Sequence, residues 1–192
     1  MQRFRTLTTR TAALPADNVD TDQIIPARFL KGTTRDGLGE RLFADWRFDE
    51  AGRPRPGFVL NRPEARGAGA LLVGRNFGCG SSREHAVWAL RGFGFRAIVG
   101  LSFADIFRAN ALKNGLLPVA LEPEFHGRIA PGSEITIDLE AQALTLPDGT
   151  RAPFSIEPFA RHCLLEGVDE LDFILSHEAS IAAFERAHSQ GG

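Results

Sequence analysis

The stretch Ala70-Leu71-Leu72-Val73-Gly74-Arg75-Asn76-Phe77-Gly78-Cys79-Gly80-Ser81-Ser82-Arg83-Glu84-His85-Ala86-Val87-Trp88-Ala89-Leu90 passes from an apolar tetrad, through a glycine-rich polar crest, into a helical apolar pattern. A short apolar run beside glycines reads as a buried strand, and residues 82–91 read as a helix. Asn76 to Ala86 then lies at the carboxyl end of a strand and at the first turn of a helix. Free amides and the positive end of the helix dipole favour anions at such a place.

Two readings meet on the crest. In the functional one, Gly78 and Gly80 bring backbone amides close to a ligand, Ser81 sits where a developing alkoxide is stabilised, and Arg83 offers a bidentate fork. In the structural one, Ser81 is the N-cap, Glu84 completes a capping box and Arg83 is a solvated charge. Cys79 reads as a small buried filler, and His85 as a side chain that orients its neighbours. The glycines match neither the phosphate-loop nor the dinucleotide spacing, so ATP and NAD find no support here.

Downstream, the pattern predicts a strand at Ala97-Ile98-Val99, a helix over 103–111 and a strand at Leu117-Pro118-Val119-Ala120, whose proline marks an edge. Strand, helix, strand, helix, strand at these separations is a right-handed crossover with parallel pairs. After Glu122 the pattern alternates in Glu134 to Leu139, and Pro147-Asp148-Gly149 reads as a hairpin turn between two further antiparallel strands. Residues 158–187 read as helical, broken near Gly167, with Leu164, Leu165, Leu171, Phe173, Ile174, Leu175, Ile181 and Phe184 as the apolar set. Upstream, Phe4 to Leu14 reads as an edge or half-buried strand ending at Pro15. Residues 31–69 are a long glycine- and proline-rich excursion of a kind that is commonly functional. Within it Phe43 and Trp46 read as anchors on the core, the alternative being an exposed partner surface. The sum is an α/β fold in one domain over 1–192, with a mixed sheet, the 31–69 loop region and a C-terminal helical segment at 158–192.

Composition narrows the function classes. With 192 residues and 43% apolar content, the chain can bury about 70% of its extended surface without disulfide staples. Its 22 basic and 24 acidic residues give a net charge of −2, with no basic stripe to favour nucleic acid. No apolar run has the length of a membrane span, and a cytoplasmic location is expected. Cys79 and Cys163 read as free thiols, and two cysteines cannot supply the thiolate set of an iron–sulfur cluster. No metal or cofactor site is expected in this chain alone.

Asp17-Asn18-Val19-Asp20-Thr21-Asp22-Gln23-Ile24-Ile25-Pro26 carries three carboxylates near a turn. A calcium loop would need a final bidentate glutamate that is absent. What remains is either an Asx-rich turn with a helix cap, or a pocket wall where Asp20 or Asp22 orients an arginine or histidine.

Asp20-Thr21-Asp22-Gln23-Ile24-Ile25-Pro26, Arg28-Phe29-Leu30-Lys31, Gly78-Cys79-Gly80-Ser81-Ser82-Arg83-Glu84-His85-Ala86 and Ser102-Phe103-Ala104-Asp105-Ile106-Phe107 with Asn110 together resemble the swivel-domain family of aconitase-like hydro-lyases. Residues 37–48 and Arg161-His162-Cys163 extend the resemblance over nearly the whole chain and favour its leucine-pathway branch. The resemblance implies a three-layer β/β/α swivelling domain with parallel and antiparallel strands. It places the catalytic serine on Ser81, the substrate-carboxylate arginine on Arg83, and the supporting acid on Asp22 or Asp20. Ser82, Glu84 and His85 flank them. Arg28, Lys31 and Arg35 lie where the family carries its side-chain recognition loop, and Leu30, Leu38 and Phe43 are apolar candidates for an isopropyl group.

The implied reaction is the reversible conversion of 2-isopropylmalate to 3-isopropylmalate through isopropylmaleate. The implied partner is a large isopropylmalate-type hydro-lyase subunit carrying a 4Fe-4S cluster, with one iron open as Lewis acid. A citraconate-type substrate differs by only a few methylenes and is the alternative within the class. An anion-binding or interaction module without chemistry is the alternative outside it.

Overall fold

The structure is a computed structural model that describes residues 1–30, 34–176 and 178. Lys31 therefore lies outside the described residues, as do Ile181 and Phe184. The elements in chain order are β1 (Thr6–Leu14), α1 (Thr21–Ile24), α2 (Ala44–Arg47), β2 (Ala70–Val73), α3 (Glu84–Phe93), β3 (Ala97–Gly100), α4 (Asp105–Lys113), β4 (Leu117–Ala120), α5 (Pro123–His126), β5 (Glu134–Asp138), β6 (Ala143–Thr145), β7 (Arg151–Pro153), α6 (Pro158–Glu166) and α7 (Glu170–Ser176). The seven strands form one sheet in the order β4-β3-β2-β1-β5-β6-β7.

β1 joins two unlike halves of that sheet. Thr11 to Leu14 pair in parallel with Ala70 to Val73, while Thr6 to Arg10 pair antiparallel with Asp138 to Glu134. The sequence of β1 carries both environments. Thr6 to Arg10 alternate in exposure, as expected of a sheet with one wet face, and Thr11 to Leu14 are continuously buried, as expected of a parallel strand covered on both faces. Of the two readings, edge or half-buried, the edge fails: the strand is central, with a partner on each side. β4 is the edge of the parallel half, consistent with Pro118, which has no amide to donate to a further strand.

Alternation along the strands builds two cores. Ala12, Leu14, Leu71, Val73 and Ile98 face α3, α4 and the 34–69 excursion, and Ala13, Ala70, Leu72, Val99 and Val119 face Ile135, Ile137 and Leu144 of the antiparallel half. The layers are therefore helix, parallel strands, antiparallel strands, in the β/β/α order that the family resemblance implied.

The excursion is docked firmly. Leu42 and Phe43 are completely buried, and Phe43 stacks on Trp46 at 5.6 Å with Phe58 closing the cluster at 6.0 and 6.2 Å. Arg47 ties its ends together: Nε donates to Asn61 Oδ1 at 3.2 Å, and Asn61 Nδ2 donates to the Arg47 carbonyl at 2.7 Å. Gly39 sits so close to Gly92 of α3 that a side chain would meet backbone. Phe43 and Trp46 are core anchors, and Leu38 at 6% exposure joins them. Leu38 and Phe43 are thus structural, which leaves Leu30, half-buried, as the apolar candidate of that trio nearest solvent.

The hairpin forms as expected, with Gly149 donating its amide to the Leu146 carbonyl at 3.0 Å. α6 ends at Gly167 in the left-handed region, φ 73°, and α7 follows. Leu164 is fully buried, but Leu171, Ile174 and Leu175 are exposed and do not join the core as their spacing suggested.

Candidate active site

Three loops leave the carboxyl ends of β1, β2 and β3 and bond to one another. Asn18 donates its amide to the Arg75 carbonyl at 2.8 Å, Gly78 donates to Val19 at 2.7 Å, and Thr21 donates to Cys79 at 2.9 Å. On the other flank Phe77 donates to the Ser102 carbonyl at 3.1 Å and Ala104 donates to Phe77 at 3.0 Å. Side chains reinforce the seam: the Arg75 amide donates to Asp17 Oδ1 at 2.6 Å, and Thr21 Oγ1 donates to the Ser81 carbonyl at 2.9 Å. Gly78 makes this possible. Its φ is +78°, and a Cβ there would stand 2.5 Å from Phe107 Cβ. The crest is a braced shelf, not a free loop.

Ser81 sits at the end of that shelf. It is exposed, its carbonyl is held by Thr21 and by the Arg83 amide at 2.8 Å, and its hydroxyl makes no hydrogen bond among the described residues. The capping box expected at Ser81 and Glu84 does not form. α3 begins at Glu84, its N-cap is Arg83 in an extended conformation, φ −107° and ψ 103°, and no side chain caps it. The reason is the seam: Ser81 is pulled toward residue 21, out of helical register. The Ala86 amide donates back to the Arg83 carbonyl at 3.1 Å, and the helix start, with the positive end of its dipole, carries no side-chain cap.

The capping box lies instead at Asp20, whose carboxylate accepts the Gln23 amide at 2.8 Å while Gln23 Oε1 accepts the Asp20 amide at 2.9 Å. Asp22 is then the acid that meets an arginine. Its Oδ1 pairs with Arg83 Nη1 and also accepts the Ala27 amide at 3.2 Å. The Arg83 side chain is 18% exposed and Asp22 55%, so the pair lies at the rim. The Arg83 guanidinium beside Asp22 holds its carboxyl below the usual carboxylate range.

The other expected residues scatter around this centre. Ser82 is exposed next to Ser81. Glu84 turns away from Ser81 to Asn114, whose Nδ2 donates to Glu84 Oε1 at 2.7 Å. His85 lies against the Trp88 ring at 4.6 Å. The Arg35 guanidinium stacks 5.0 Å over the same ring, and Arg28 pairs with Asp45 of α2. Cys79 is half-buried, not fully buried, and its Sγ lies 3.3 Å from the Asn18 carbonyl oxygen.

Two participants carried no local signal. Asn114 is 6% exposed and bridges α4 to α3, and His126 Nε2 lies 2.8 Å from the Val73 carbonyl at the root of the crest. Burial pushes the His126 imidazole below its ordinary value.

The shelf offers the exposed hydroxyls of Ser81 and Ser82, one guanidinium held by a carboxylate and a helix start with no side-chain cap. Such a set can bind a carboxylate and move a proton at Ser81 Oγ. A cavity of about 320 Å³ between α4 and α6, lined in part by Arg108, Leu112, Phe159 and Cys163, contains none of these residues. Cys79 and Cys163 are free thiols on separate elements, and no cluster of three metal-binding side chains occurs among the described residues. The chain's own residues do not fit an iron–sulfur cluster.

Comparison with known proteins agrees with this geometry. The family model for the aconitase C-terminal domain matches residues 1–124, and the model LeuD_N matches 129–158. The 3-isopropylmalate dehydratase small subunit of Anaeromyxobacter dehalogenans is 60% identical over 96% of this chain and 98% of its own length. That of Roseiflexus castenholzii is 56% identical over 98% of this chain and 95% of its own. The crystal structure of 3-isopropylmalate dehydratase (leuD) from Methanocaldococcus jannaschii superposes with a TM-score of 0.70 at 27% identity, covering 93% of this chain and 98% of that one. With such identity and coverage in both directions, the chain belongs to the 3-isopropylmalate dehydratase small-subunit family, built on the aconitase C-terminal domain.

Proposed function

We propose that this chain is the small subunit of an isopropylmalate isomerase, interconverting 2-isopropylmalate and 3-isopropylmalate through isopropylmaleate in leucine biosynthesis. The observation that carries the reading is 60% identity, over nearly the full length of both chains, to a relative named 3-isopropylmalate dehydratase small subunit. The enzyme is a hydro-lyase that works only with its large subunit, in the cytoplasm. No helix among the described residues is long and apolar enough to cross a membrane.

In this reading residues 1–192 are one swivelling domain, and the 31–69 excursion lines the side-chain end of the substrate. Ser81 Oγ, as alkoxide, takes the carbon-bound proton; the electrons of that C–H bond form the C=C bond as the C–O bond breaks, and a proton donated from the large subunit's side makes the departing hydroxyl water. Serine is intrinsically a poor base, so its oxyanion needs the uncapped start of α3. Arg83, held by Asp22, grips a substrate carboxylate through its remaining donors. The large subunit's 4Fe-4S cluster, when present, supplies the Lewis acid at the departing hydroxyl.

Anaerobic mixing of the purified chain with the large subunit, followed by hydration assays on isopropylmaleate and citraconate, tests the reading. Faster turnover of isopropylmaleate, and none by this chain alone, is expected. Failure with an intact cluster would overturn it, and preference for citraconate would reassign the substrate.

A further inference from the structure

We propose that Asn114 is a positioning residue for this reaction, a clamp on the first turn of α3 that sets where Arg83 and Ser81 stand. The inference rests on the functional reading above and adds to it a residue outside the crest. Asn114 is the C-cap residue of α4, 30 positions from Glu84, and only 6% exposed. Its amide makes three hydrogen bonds. Nδ2 donates to Glu84 Oε1 at 2.7 Å and to the Asn110 carbonyl at 2.9 Å, and Oδ1 accepts from Trp88 Nε1 at 2.9 Å. Arg91 Nη1 donates to the Asn114 carbonyl. The orientation of the amide follows from its partners, since indole nitrogen only donates and an ionised carboxylate only accepts.

Glu84, Trp88 and Arg91 stand at i, i+4 and i+7, one face of α3. One asparagine therefore grips three successive turns of the helix whose start forms the site. Apolar contacts between α3 and α4 would give cohesion without fixing the slide or rotation of one helix on the other, because they are not directional. Hydrogen bonds to a planar amide are directional, and they fix both. Glu84 follows Arg83 directly, so any slide at Glu84 reaches the guanidinium and Ser81. The excursion leans on the same clamp, since Arg35 stacks on the ring whose nitrogen Asn114 holds.

Asn114→Asp separates the clamp from mere packing. It keeps the size of the side chain and the acceptor for Trp88, but sets a carboxylate against Glu84. In the reconstituted complex kcat/KM for isopropylmaleate should fall about tenfold, mainly through KM, as a displaced carboxylate-binding group requires. Adding Glu84→Gln restores a donor–acceptor pair with the roles reversed, and kcat/KM should return to within about threefold of the parent. A purely structural role would lower the melting temperature of the complex with kcat and KM unchanged. The Arg83 Nε–H resonance of the free full-length chain gives a readout without turnover: it should shift in Asn114→Asp and move back in the double variant. An unmoved resonance, or kinetics within twofold of the parent in a folded complex, would overturn the proposal. Lack of turnover by the unsubstituted complex would instead count against the functional reading alone.

Discussion

Replacing Gly39 by alanine tests whether the excursion is held by backbone packed on backbone. A methyl group on Gly39 would stand 2.5 Å from both the Gly92 carbonyl oxygen and the Phe93 amide nitrogen, and closer still to the Gly92 carbonyl carbon. Those atoms belong to α3 and cannot turn aside as a flexible side chain would. Comfortable carbon contacts lie near 3.5–4 Å, so relief requires α3 and the 39–41 turn to part by about 1 Å. Overpacking of this kind costs about 1–3 kcal/mol. The parting also loosens Leu38, Leu42 and Phe43 from the helix-side core, which moves the expected cost to the upper end of that range. At about 2–4 °C per kcal/mol for a chain of this size, the melting temperature should fall by about 4–12 °C in scanning calorimetry. Gly57→Ala is the control, because it lies in the same excursion with no heavy atom within 4 Å of the new methyl group. Its reduced unfolded-state entropy should leave melting unchanged or raise it by about 1–3 °C. A Gly39→Ala chain that melts within about 2 °C of the parent would show that the close approach holds nothing, and would refute the reasoning.

Ser81→Ala should lower turnover of the reconstituted complex by about a hundredfold to ten-thousandfold while leaving melting nearly unchanged, because the hydroxyl has no partner among the described residues to lose. Undiminished turnover would remove Ser81 as the base. Asp22→Asn should raise KM about tenfold at pH 7, and an unchanged KM would mean that Asp22 does not hold Arg83 for the substrate. Because Arg83 depresses the Asp22 carboxyl, the pair's contribution to stability is complete above the unfolded value near 3.9 and is lost as pH falls through the lower folded value. Melting temperatures of parent and Asp22→Asn should therefore converge below about pH 4. At a half-exposed rim the gap before convergence corresponds to at most about 1 kcal/mol. His126 behaves in the same direction: burial lowers its folded value, so stability present at pH 7 and above is lost as pH falls below the ordinary value near 6.5. The parent should lose melting temperature faster than His126→Gln between pH 7 and pH 5, and parallel slopes would refute that assignment.

Repeating apolar patterns made most of the strands and helices legible. β2, β3, β4 and the Asp148–Gly149 hairpin stand where alternation, glycines and proline put them. β1 was read only as an edge or half-buried strand because its polar half and apolar half face different neighbours, and a single strand cannot announce how many partners it has. The capping box at Ser81 was a fair local match defeated by a bond from Thr21, 60 residues away. The same motif forms at Asp20, even though Thr21 beside it bonds to Cys79 and Ser81. The pair of Asp22 with Arg83 was only half visible, since two acids at i and i+2 look alike until one is consumed as a cap. Asn114 gave no signal at all, because its partners are drawn from two helices and a tryptophan edge.

If the proposed function holds, with the site shared between two chains, these bonds constrain how it must close. Residues 74–81 are stitched to the 16–21 loop on one side and to 102–104 on the other, and Arg83 is pinned at its far end by Asp22. Each stitch would have to break for Ser81 to travel independently of the sheet, and a broken buried backbone bond costs about 1–3 kcal/mol. Several in series exceed what one substrate carboxylate returns to a single arginine. Movement of the whole shelf with its domain breaks none of them. The large subunit should therefore meet a preformed wall, and discrimination between isopropyl and smaller groups should reside in the excursion. Just before it Leu30 is half-buried, and the Arg28 and Arg41 guanidiniums flank Phe29 at 4.6 and 5.1 Å, so this segment is itself braced by contacts that do not involve Ser81. In the proposed function catalysis and selectivity then rest on separate sets of contacts, and changing the substrate's side chain should leave the serine undisturbed.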